Sequence, residues 1–534
     1  MENKARIKKL LNEIGQGLYE REDILAKCLL AALSGESTFL FGPPGTAKSL
    51  IARRVARAFK NTAYFECLMN RFTTPEEIFG PVSLRELKED RYLRKTDGYL
   101  PEARFAFLDE IWKSGPGILN TLLTIVNERK FRNDGKVESV PLKGIIAASN
   151  EIPESGQGLD ALYDRLVLRL NVGPLKEKEN FFSLLDGNPV PADVTVDPDL
   201  AFGEDEWVSM LNGLSEVHFT EESKSVLHAI RKRIDDYNAA AKDKKKSPLY
   251  ISDRRWKKIA QVLKMAALLC DRKEILPVDL MILSDCLWTE PEQCEEVCKL
   301  VIDSVKEFGK CKSIDFEELK SDIDAREKII SKTLYYSDDV YETTSVCGED
   351  CFTFRIDIPM RFDVDGNPVY TPQTEYQIYI KRDYLNSTEK FHPTDAEGKV
   401  FGEVRCQAEP GVAFSYETED RWGGWTSGKE FLEPRCVYKQ GDCKPVTTAE
   451  KKQLLNDVAL LEKRRKELSD AANDLYTIDK SRLESPFVGA SGLDAVLSAQ
   501  MEHLDELEQE RLHLERMVKK IDAHVDRLPK PSLL

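Results

Sequence analysis

The chain has 534 residues and a formal net charge of −16 at pH 7, with 41% hydrophobic and 32% charged residues. This length exceeds what one hydrophobic core supports and predicts about three or four domains. The negative charge argues against extensive contact with nucleic acid, and no apolar run reaches the roughly 20 residues that a membrane-spanning helix needs. The first residues, MENKARIKKL, lack the apolar stretch of a secretory signal, so we expect a cytoplasmic protein.

The first part of the chain alternates short apolar runs with amphipathic stretches. The runs STFLFG, RFAFLDE, GIIAASN and LVLRL are typical of parallel strands that crossover helices bury on both faces. We therefore predict an α/β core at residues 1–185. The Pro- and Asp-rich segment at 184–199 is typical of a linker, and helical periodicity predicts a helical lid subdomain at 200–290.

Residues 333–445 have the character of a β-rich module. Apolar and polar residues alternate along two segments, and DVDGN (363–367) supplies turn chemistry between them. The alternating residues are Phe352, Phe354, Ile356 and Ile358, then Tyr376, Ile378 and Ile380. The module also holds Cys347, Cys351, Cys436 and Cys443. Their spacing is irregular for a zinc site, so we expect reduced thiols rather than bound zinc.

The last part of the chain carries apolar residues at 4-3 spacing on either side of residues 481–492, which predicts two long antiparallel helices. A third helix is predicted before the β-rich module, with one apolar face of Val297, Val301, Val305 and Phe308. We therefore predict a discontinuous three-helix bundle, residues 291–332 and 446–534, into which the module is inserted. Three polar residues interrupt the repeat: Arg465, Gln500 and Arg511.

The stretch FGPPGTAKSL, residues 41–50, matches a phosphate-binding loop except that alanine replaces the glycine before the lysine. In such a loop Lys48 reaches the β- and γ-phosphates and Ser49 supplies a hydroxyl to Mg²⁺. Ala47 is tolerated if its φ is negative, so we expect helical backbone there. A Gly/Pro turn that binds nothing would not explain a lysine and a serine that open a helix directly after a strand. The candidate nucleotide-binding residues of the loop are Gly42, Pro43, Pro44, Gly45, Thr46, Ala47, Lys48, Ser49 and Leu50.

Two later strands end in polar residues. RFAFLDEI places Asp109 and Glu110 at a strand end, where Asp109 would hold Mg²⁺ and Glu110 would orient water, as in a Walker B motif. GIIAASN ends at Asn150, whose amide would hold the attacking water, although an asparagine after a strand is by itself usually a turn former. Between them, RKFRNDGKVESVP predicts a β-hairpin.

Two arginines follow in LYDR and SDRRWKK. Arg165 would be a finger that reaches the γ-phosphate of a neighbouring subunit, and Arg254 would reach the same phosphate from the lid. Taken alone, each arginine is more often a partner in a surface ion pair.

Together these residues resemble the MoxR family of AAA+ ATPases, in which alanine commonly occupies the position of Ala47. Residues 1–290 are most similar to the RavA (regulatory ATPase variant A) subgroup. The segments that carry this resemblance include GLYERED (17–23), RFTTPEEIFGP (71–81), FLDEIWKSGPGILNTLLTIVNERKFRN (107–133) and SDRRWKK (252–258).

The resemblance implies a hexameric ring that uses ATP or ADP with Mg²⁺. It also implies that Tyr19 packs against the adenine base, that residues 83–100 are the family's insertion after helix 2, and that a protein with a von Willebrand A domain is a partner. The module at 333–445 shows no match to the segment with which RavA engages an inducible lysine decarboxylase.

Three functions compete. The favoured one is an ATP-hydrolysing ring that remodels or assembles protein complexes and recruits an unknown protein substrate through residues 333–445. The alternative is a scaffold in which nucleotide state only controls assembly and display of that module. A DNA or RNA motor is disfavoured by the net charge and by the lack of a stripe of basic and aromatic residues.

Overall fold

The computed structural model describes residues 2–60, 63–153, 159–186, 193–244, 247–358, 361–362, 368–369, 375–419, 424–425 and 430–525. The chain divides into two compact units. Unit 1 comprises Met1–Ile314 and Ala471–Leu504, and unit 2 comprises Asp315–Asp470 and Asp505–Leu534. The predicted DVDGN turn lies outside the described residues.

Unit 1 begins with the predicted α/β core. Its elements in chain order are α1 (Asn3–Ile14), α2 (Glu22–Leu33), β1 (Ser37–Phe41), α3 (Lys48–Arg57), β2 (Tyr64–Leu68), α4 (Pro75–Phe79), α5 (Leu84–Leu87), β3 (Phe105–Asp109), α6 (Pro116–Glu128), β4 (Lys130–Asn133), β5 (Lys136–Ser139), β6 (Gly144–Ser149), α7 (Asp160–Tyr163), β7 (Leu166–Asn171) and α8 (Lys178–Asp186).

Five of these strands form one parallel sheet in the order β2-β3-β6-β1-β7, which confirms the predicted parallel sheet. Both faces are covered, because successive residues of one strand enter different cores. Phe39 belongs to one hydrophobic cluster and Leu40 to the other. The predicted hairpin is also present as the antiparallel pair β4–β5.

The helical part of unit 1 follows. It contains α9 (Glu204–Gly213), β8 (His218–Phe219), α10 (Glu221–Lys244), α11 (Asp253–Leu269), β9 (Glu274–Ile275), a 3₁₀ segment (Pro277–Asp285) and α12 (Cys294–Phe308). Buried residues of α11 and α12 join the same hydrophobic cluster as Leu40, so this part packs on one side of the sheet.

Unit 2 contains α13 (Glu317–Leu334), a β-rich module and parts of two long helices. The strands are β10 (Val340–Tyr341), β11 (Thr344–Val346), β12 (Glu349–Asp357), β13 (Arg361–Phe362), β14 (Pro368–Val369), β15 (Glu375–Lys381), β16 (Val404–Glu409), β17 (Ala413–Thr418), β18 (Glu430–Leu432) and β19 (Cys436–Tyr438). The predicted alternation is confirmed, because Phe352, Phe354, Ile356 and Ile378 are all buried in one cluster.

The two predicted long helices are α14 (Thr448–Leu483) and α15 (Ala490–Asp522). Within unit 2, α13 is joined to them by ion pairs, among them Lys320 with Glu506 at 2.7 Å and Arg326 with Asp457 at 2.9 Å. The expected polar interruption at Arg465 is buried, and its guanidinium pairs with Glu462 at 2.8 Å.

Two segments differ from the sequence-based expectation. Residues 291–332 contain two helices, and the apolar face of Val297, Val301 and Val305 packs into unit 1, so α13 alone lies beside the long helices in unit 2. The break follows Gly309, whose added Cβ would meet Pro277 Cβ at 2.7 Å. At the expected linker, residues 184–186 are the last turn of α8.

Candidate nucleotide-binding site

The candidate site lies at the carboxyl ends of three adjacent strands, β3, β6 and β1. In a parallel sheet these ends meet at one edge, where ligands usually bind. Backbone contacts tie the edge together: Gly42 N donates to Ser149 O at 3.2 Å, and Met69 N donates to Asp109 O at 2.8 Å. The loop after β1, the acids after β3 and the asparagine after β6 are therefore neighbours, as the order of the motifs predicted.

The loop after β1 depends on a close backbone approach at Gly42. A Cβ added there would lie 2.2 Å from Val172 O, so only glycine fits. Pro43, Pro44 and Gly45 are exposed at the loop tip, and the hydroxyl of Thr46 donates to Pro43 O at 3.0 Å. The tip thus presents its backbone to solvent while its base is held by the sheet.

The expected helical backbone at Ala47 is wrong. Ala47 has φ +67° and ψ +23°, which is left-handed, and α3 begins only at Lys48. The loop must turn sharply from β1 into α3, and this turn requires a positive φ where most such loops carry glycine. An alanine in this region costs about 1–2 kcal/mol, so the rest of the loop must offset that strain.

Lys48 is buried and turns back on its own loop, with Nζ donating to Gly42 O at 2.6 Å and to Pro43 O at 2.9 Å. Burial lowers the pKa of Lys48, whereas the negative charges of Asp109 and Glu110 act to raise it. The charges of both strand-end acids thus act on the ammonium group. Ser49 follows in the first turn of α3, and the half-buried Leu50 packs against the core.

Asp109 and Glu110 have different environments. Burial raises the pKa of Asp109 above its ordinary value, although the hydrogen bond from Glu110 N and the charge of Lys48 oppose this shift. Glu110 has φ +51°, which is left-handed, and its carboxylate pairs with Lys113 Nζ at 3.1 Å. It also accepts a hydrogen bond from Ser149 Oγ at 3.3 Å. Sequence reasoning missed both partners of Glu110.

Asn150 directly follows β6 and is exposed. Its neighbour Ser149 is fully buried and links Glu110 to the residue after Asn150, because Ser149 Oγ also accepts from Glu151 N at 3.2 Å. The strand end therefore holds Asn150 beside the Walker B acids with its side chain open to solvent.

The two predicted arginines lie within range of each other's charge. Burial lowers the pKa of Arg165, and the nearby charge of Arg254 lowers it further. Arg165 is mostly covered and donates to Asn127 Oδ1 and to Ala161 O. Arg254 is exposed in the first turn of α11.

The N-terminal segment also reaches the loop, through a residue that sequence reasoning did not single out. Arg21 is buried and donates to Gly173 O at 2.6 Å and to Thr46 O at 3.4 Å. It connects the segment that carries the half-buried Tyr19 to the phosphate loop and to the chain after β7. The only sequence signal for this role was a basic residue two positions after Tyr19.

Comparison with known proteins identifies the family. A model of the "MoxR domain in the MoxR-vWA-beta-propeller ternary systems" matches residues 5–191, and an AAA lid domain model matches residues 223–301. The chain is 36% identical over 305 residues to the uncharacterized protein MJ0079 of Methanocaldococcus jannaschii, covering 57% of this chain and 76% of that protein. The chain belongs to the MoxR family of AAA+ ATPases.

Two further similarities accompany this MoxR match. MJ0812, another uncharacterized protein of Methanocaldococcus jannaschii, is 36% identical over 292 residues, which is 54% of this chain and 74% of that protein. A full-length MCM homolog from Methanopyrus kandleri has a TM-score of 0.34 and 14% identity, covering 57% of this chain and 60% of that chain.

The site of this MoxR protein has donors suited to Mg²⁺ and a triphosphate. A hydroxyl at Ser49 and a carboxylate at Asp109 are hard oxygen ligands, and Lys48 is held on loop carbonyls from which it can turn to an anion. The four cysteines of the β-rich module are free thiols, of which Cys347 is exposed and Cys351 is buried. Among the described residues no group of His, Cys, Asp and Glu forms a metal cluster, and no helix is long and apolar enough to cross a membrane.

Proposed function

We propose that this MoxR protein is a Mg²⁺-dependent ATPase that works as a ring, a hexamer by family resemblance, and remodels protein complexes in the cytoplasm. The observation that carries the proposal is the placement of Lys48, Asp109 and Glu110 at one sheet edge, where the charges of both acids act on the lysine. A cation that can bind phosphate and two acids with separate roles are the parts that phosphoryl transfer requires.

Each residue has a role in this proposal. Lys48 and the loop N–H groups bind the phosphates, Ser49 and Asp109 hold Mg²⁺, and Tyr19 contacts the base. The bound metal would neutralise charge on the phosphate oxygens. Glu110 orients and accepts a proton from the attacking water, and Asn150 holds that water in place.

Arg165 and Arg254 would complete the site of a neighbouring subunit. Their like charges lie near each other on one chain, and Asp164 is a carboxylate whose charge acts on Arg165. Such a pair is stabilised by an approaching anion, which a neighbour's γ-phosphate would supply.

The partners of the ring are inferred from the family. The matching MoxR model is defined on systems that combine MoxR with von Willebrand A and β-propeller proteins, which supports a von Willebrand A domain partner. The RavA-like segments favour a chaperone-like role. The β-rich module of unit 2 would recruit the protein substrate, and in the alternative function it would be displayed by a scaffold that uses ATP only to assemble.

The test compares Glu110→Gln and Lys48→Ala with Glu128→Gln, a matched control at an exposed position. We expect Glu110→Gln to bind ATP and release phosphate at least about 100-fold more slowly, since it keeps the fold but lacks the base. Lys48→Ala should lose ATP binding itself, and Glu128→Gln should match the parent. Unchanged turnover in Glu110→Gln would refute the proposed chemistry. A parent chain that binds ATP without turnover would favour the scaffold.

A further inference from the structure

The insertion at residues 83–100 and the β4–β5 hairpin form one continuous surface of unit 1. Arg94 N donates to Asn133 Oδ1 at 2.8 Å, and Asn133 Nδ2 donates back to Arg94 O at 3.1 Å. Tyr92 N donates to Asp134 Oδ1 at 2.9 Å. Asn133 is buried, so its two hydrogen bonds are partly shielded from water, whereas the Tyr92–Asp134 bond is exposed. The backbone of the insertion is therefore fixed to the hairpin turn by hydrogen bonds with the side chains of Asn133 and Asp134.

A pocket of about 490 Å³ opens at this surface, between α4, α6 and the hairpin. This volume falls in the range of ligand-binding clefts. Phe79 and Phe131 line it as a stacked pair with ring centroids 5.6 Å apart. Threonines of α6 contribute polar groups. The pocket therefore has a closed aromatic floor, because the two rings are almost fully buried, and hydrogen-bonding groups at its wall.

The charged residues that line the pocket are all basic: Arg94, Lys130 and Arg132. The charge of Arg94 is compensated by an ion pair with Glu76 at 3.1 Å. Within the described parts of the chain, neither Lys130 nor Arg132 forms an ion pair. Both are exposed. Two unneutralised cations at one pocket stand out on a chain with a net charge of −16.

Apolar side chains accompany these cations. Lys130 and Arg132 are two residues apart on β4, so their side chains lie on the same face of the hairpin. Val137 is directly opposite Arg132 in the register and shares that face, and its side chain is 56% exposed. An extended chain lying along this face would meet positive charge and apolar surface in turn.

We propose that this pocket binds an extended, acidic segment of a client polypeptide. Carboxylates of the client pair with Lys130 and Arg132, and its apolar side chains pack on the exposed Val137. The proposal deepens the proposed remodelling function, on which it rests, because a remodelling ATPase must hold its client near the moving core.

A nucleic acid fits this surface less well. Single-stranded nucleic acids bind by stacking bases on open aromatic faces. Phe79 and Phe131 are only 3% and 5% exposed, and Arg94 covers the ring of Tyr92 with its guanidinium 5.5 Å from the ring centroid. The pocket thus offers the charge that phosphates need without the stacking faces that bases need.

The test measures binding to the full chain by fluorescence anisotropy. The probes are a labelled peptide of alternating glutamate and valine, its lysine–valine counterpart, and labelled oligo-dT. The test variant is Lys130→Glu with Arg132→Glu, and the matched control is Lys136→Glu, an exposed lysine on the opposite face of the same hairpin. ATP turnover and thermal unfolding of each variant are measured separately to establish that the fold is intact.

We expect the parent to bind the glutamate peptide and not the lysine peptide, with an affinity that falls as salt rises. The double variant should bind about tenfold more weakly or worse, and Lys136→Glu should stay within about twofold of the parent. No binding of the glutamate peptide, equal losses in both variants, or tighter binding of oligo-dT that the double variant abolishes would each overturn the proposal. Because the readout is binding, a chain that fails to hydrolyse ATP but still holds the peptide would refute the ATPase proposal alone.

Discussion

Replacing Ala47 with glycine tests the unusual backbone of the phosphate loop. Ala47 is left-handed at φ +67°, so the substitution removes strain worth about 1–2 kcal/mol. Glycine also gives the unfolded chain more conformational entropy, which lowers the free energy of unfolding by about 0.4–1 kcal/mol. Loss of a half-buried methyl group lowers it by about 0.4 kcal/mol more. The balance is a free energy of unfolding that is unchanged or higher by up to about 1 kcal/mol.

The matched control is Ala52→Gly in α3, the helix that directly follows Ala47. Ala52 lies in the helix interior and is 3% exposed. There glycine costs about 1 kcal/mol of helix propensity and about 0.8 kcal/mol for the buried methyl group. The same chemical change should therefore destabilise unit 1 by about 2 kcal/mol at position 52 and by nothing at position 47.

The free energy of unfolding of both variants is measured by urea titration without nucleotide. Unfolding is monitored by tryptophan fluorescence, to which the buried Trp112 and Trp288 of unit 1 contribute. Nucleotide must be absent, because a ligand that binds the folded state would add its own stabilisation. Equal slopes with denaturant concentration show that the same unit is unfolding in each case. If Ala47→Gly loses as much stability as Ala52→Gly, the backbone at Ala47 is not left-handed and the reasoning fails.

Three further predictions concern contacts around the site. Lys113→Ala should raise basal phosphate release severalfold, because it frees the Glu110 carboxylate from its ion pair, whereas Lys113→Arg should match the parent. Burial raises the pKa of Asp109, and protons compete with Mg²⁺ for that carboxylate. Mg²⁺-dependent ATP binding should therefore weaken as pH falls, and the weakening should start at a higher pH than for an ordinary aspartate. An affinity independent of pH would contradict this prediction. Ser252→Ala should lower the free energy of unfolding by about 1–2 kcal/mol, because Ser252 caps α11 and donates to Asp164 Oδ2 at 2.7 Å; Ser252→Thr should retain most of the stability in the same urea titration.

Much of unit 1 could be predicted from local sequence pattern. Strands buried on both faces are continuous apolar runs, and the phosphate loop and the Walker B acids occupy fixed places at strand ends. The structure therefore places Lys48, Asp109 and Asn150 at one sheet edge, as their order along the chain implied. The same holds for Phe352 and Ile378, whose alternation with polar residues identified the buried faces of the module.

What the sequence did not reveal depends on distant residues. Alanine disfavours the left-handed region, so the residue type predicted a negative φ at Ala47. The observed positive φ follows instead from the geometry of the turn between β1 and α3. Arg21 acquires its role only when folding brings Thr46 and Gly173 beside it. Ser149 bonds to Glu110 across 39 residues of sequence, a contact that no local spacing encodes.

Buried arginines of the α/β core and of the helical lid lie within range of each other's charge near α11. Arg169 and Arg255 are both fully buried, and burial together with the charge of Arg255 lowers the pKa of Arg169 to about 9. Arg169 is satisfied by carbonyl oxygens, including Trp288 O at 2.6 Å, whereas Nε and Nη2 of Arg255 have no hydrogen-bond partner among the described residues. Asp164 is the carboxylate whose charge acts on Arg165, Arg169 and Arg255 alike.

Four neighbouring guanidinium groups, those of Arg165, Arg169, Arg254 and Arg255, and the Asp164 carboxylate leave this region with excess positive charge. Since Arg169 and Arg255 cannot reach solvent, an incoming anion can meet only Arg254, which is exposed, and then Arg165 once it releases Asn127 and Ala161. The two buried cations would raise the attraction felt at the exposed one, because charges interact more strongly where water is excluded. A neighbour's phosphate would therefore engage the lid arginine first and the core arginine second, which would draw the lid and the core of one subunit onto the same anion.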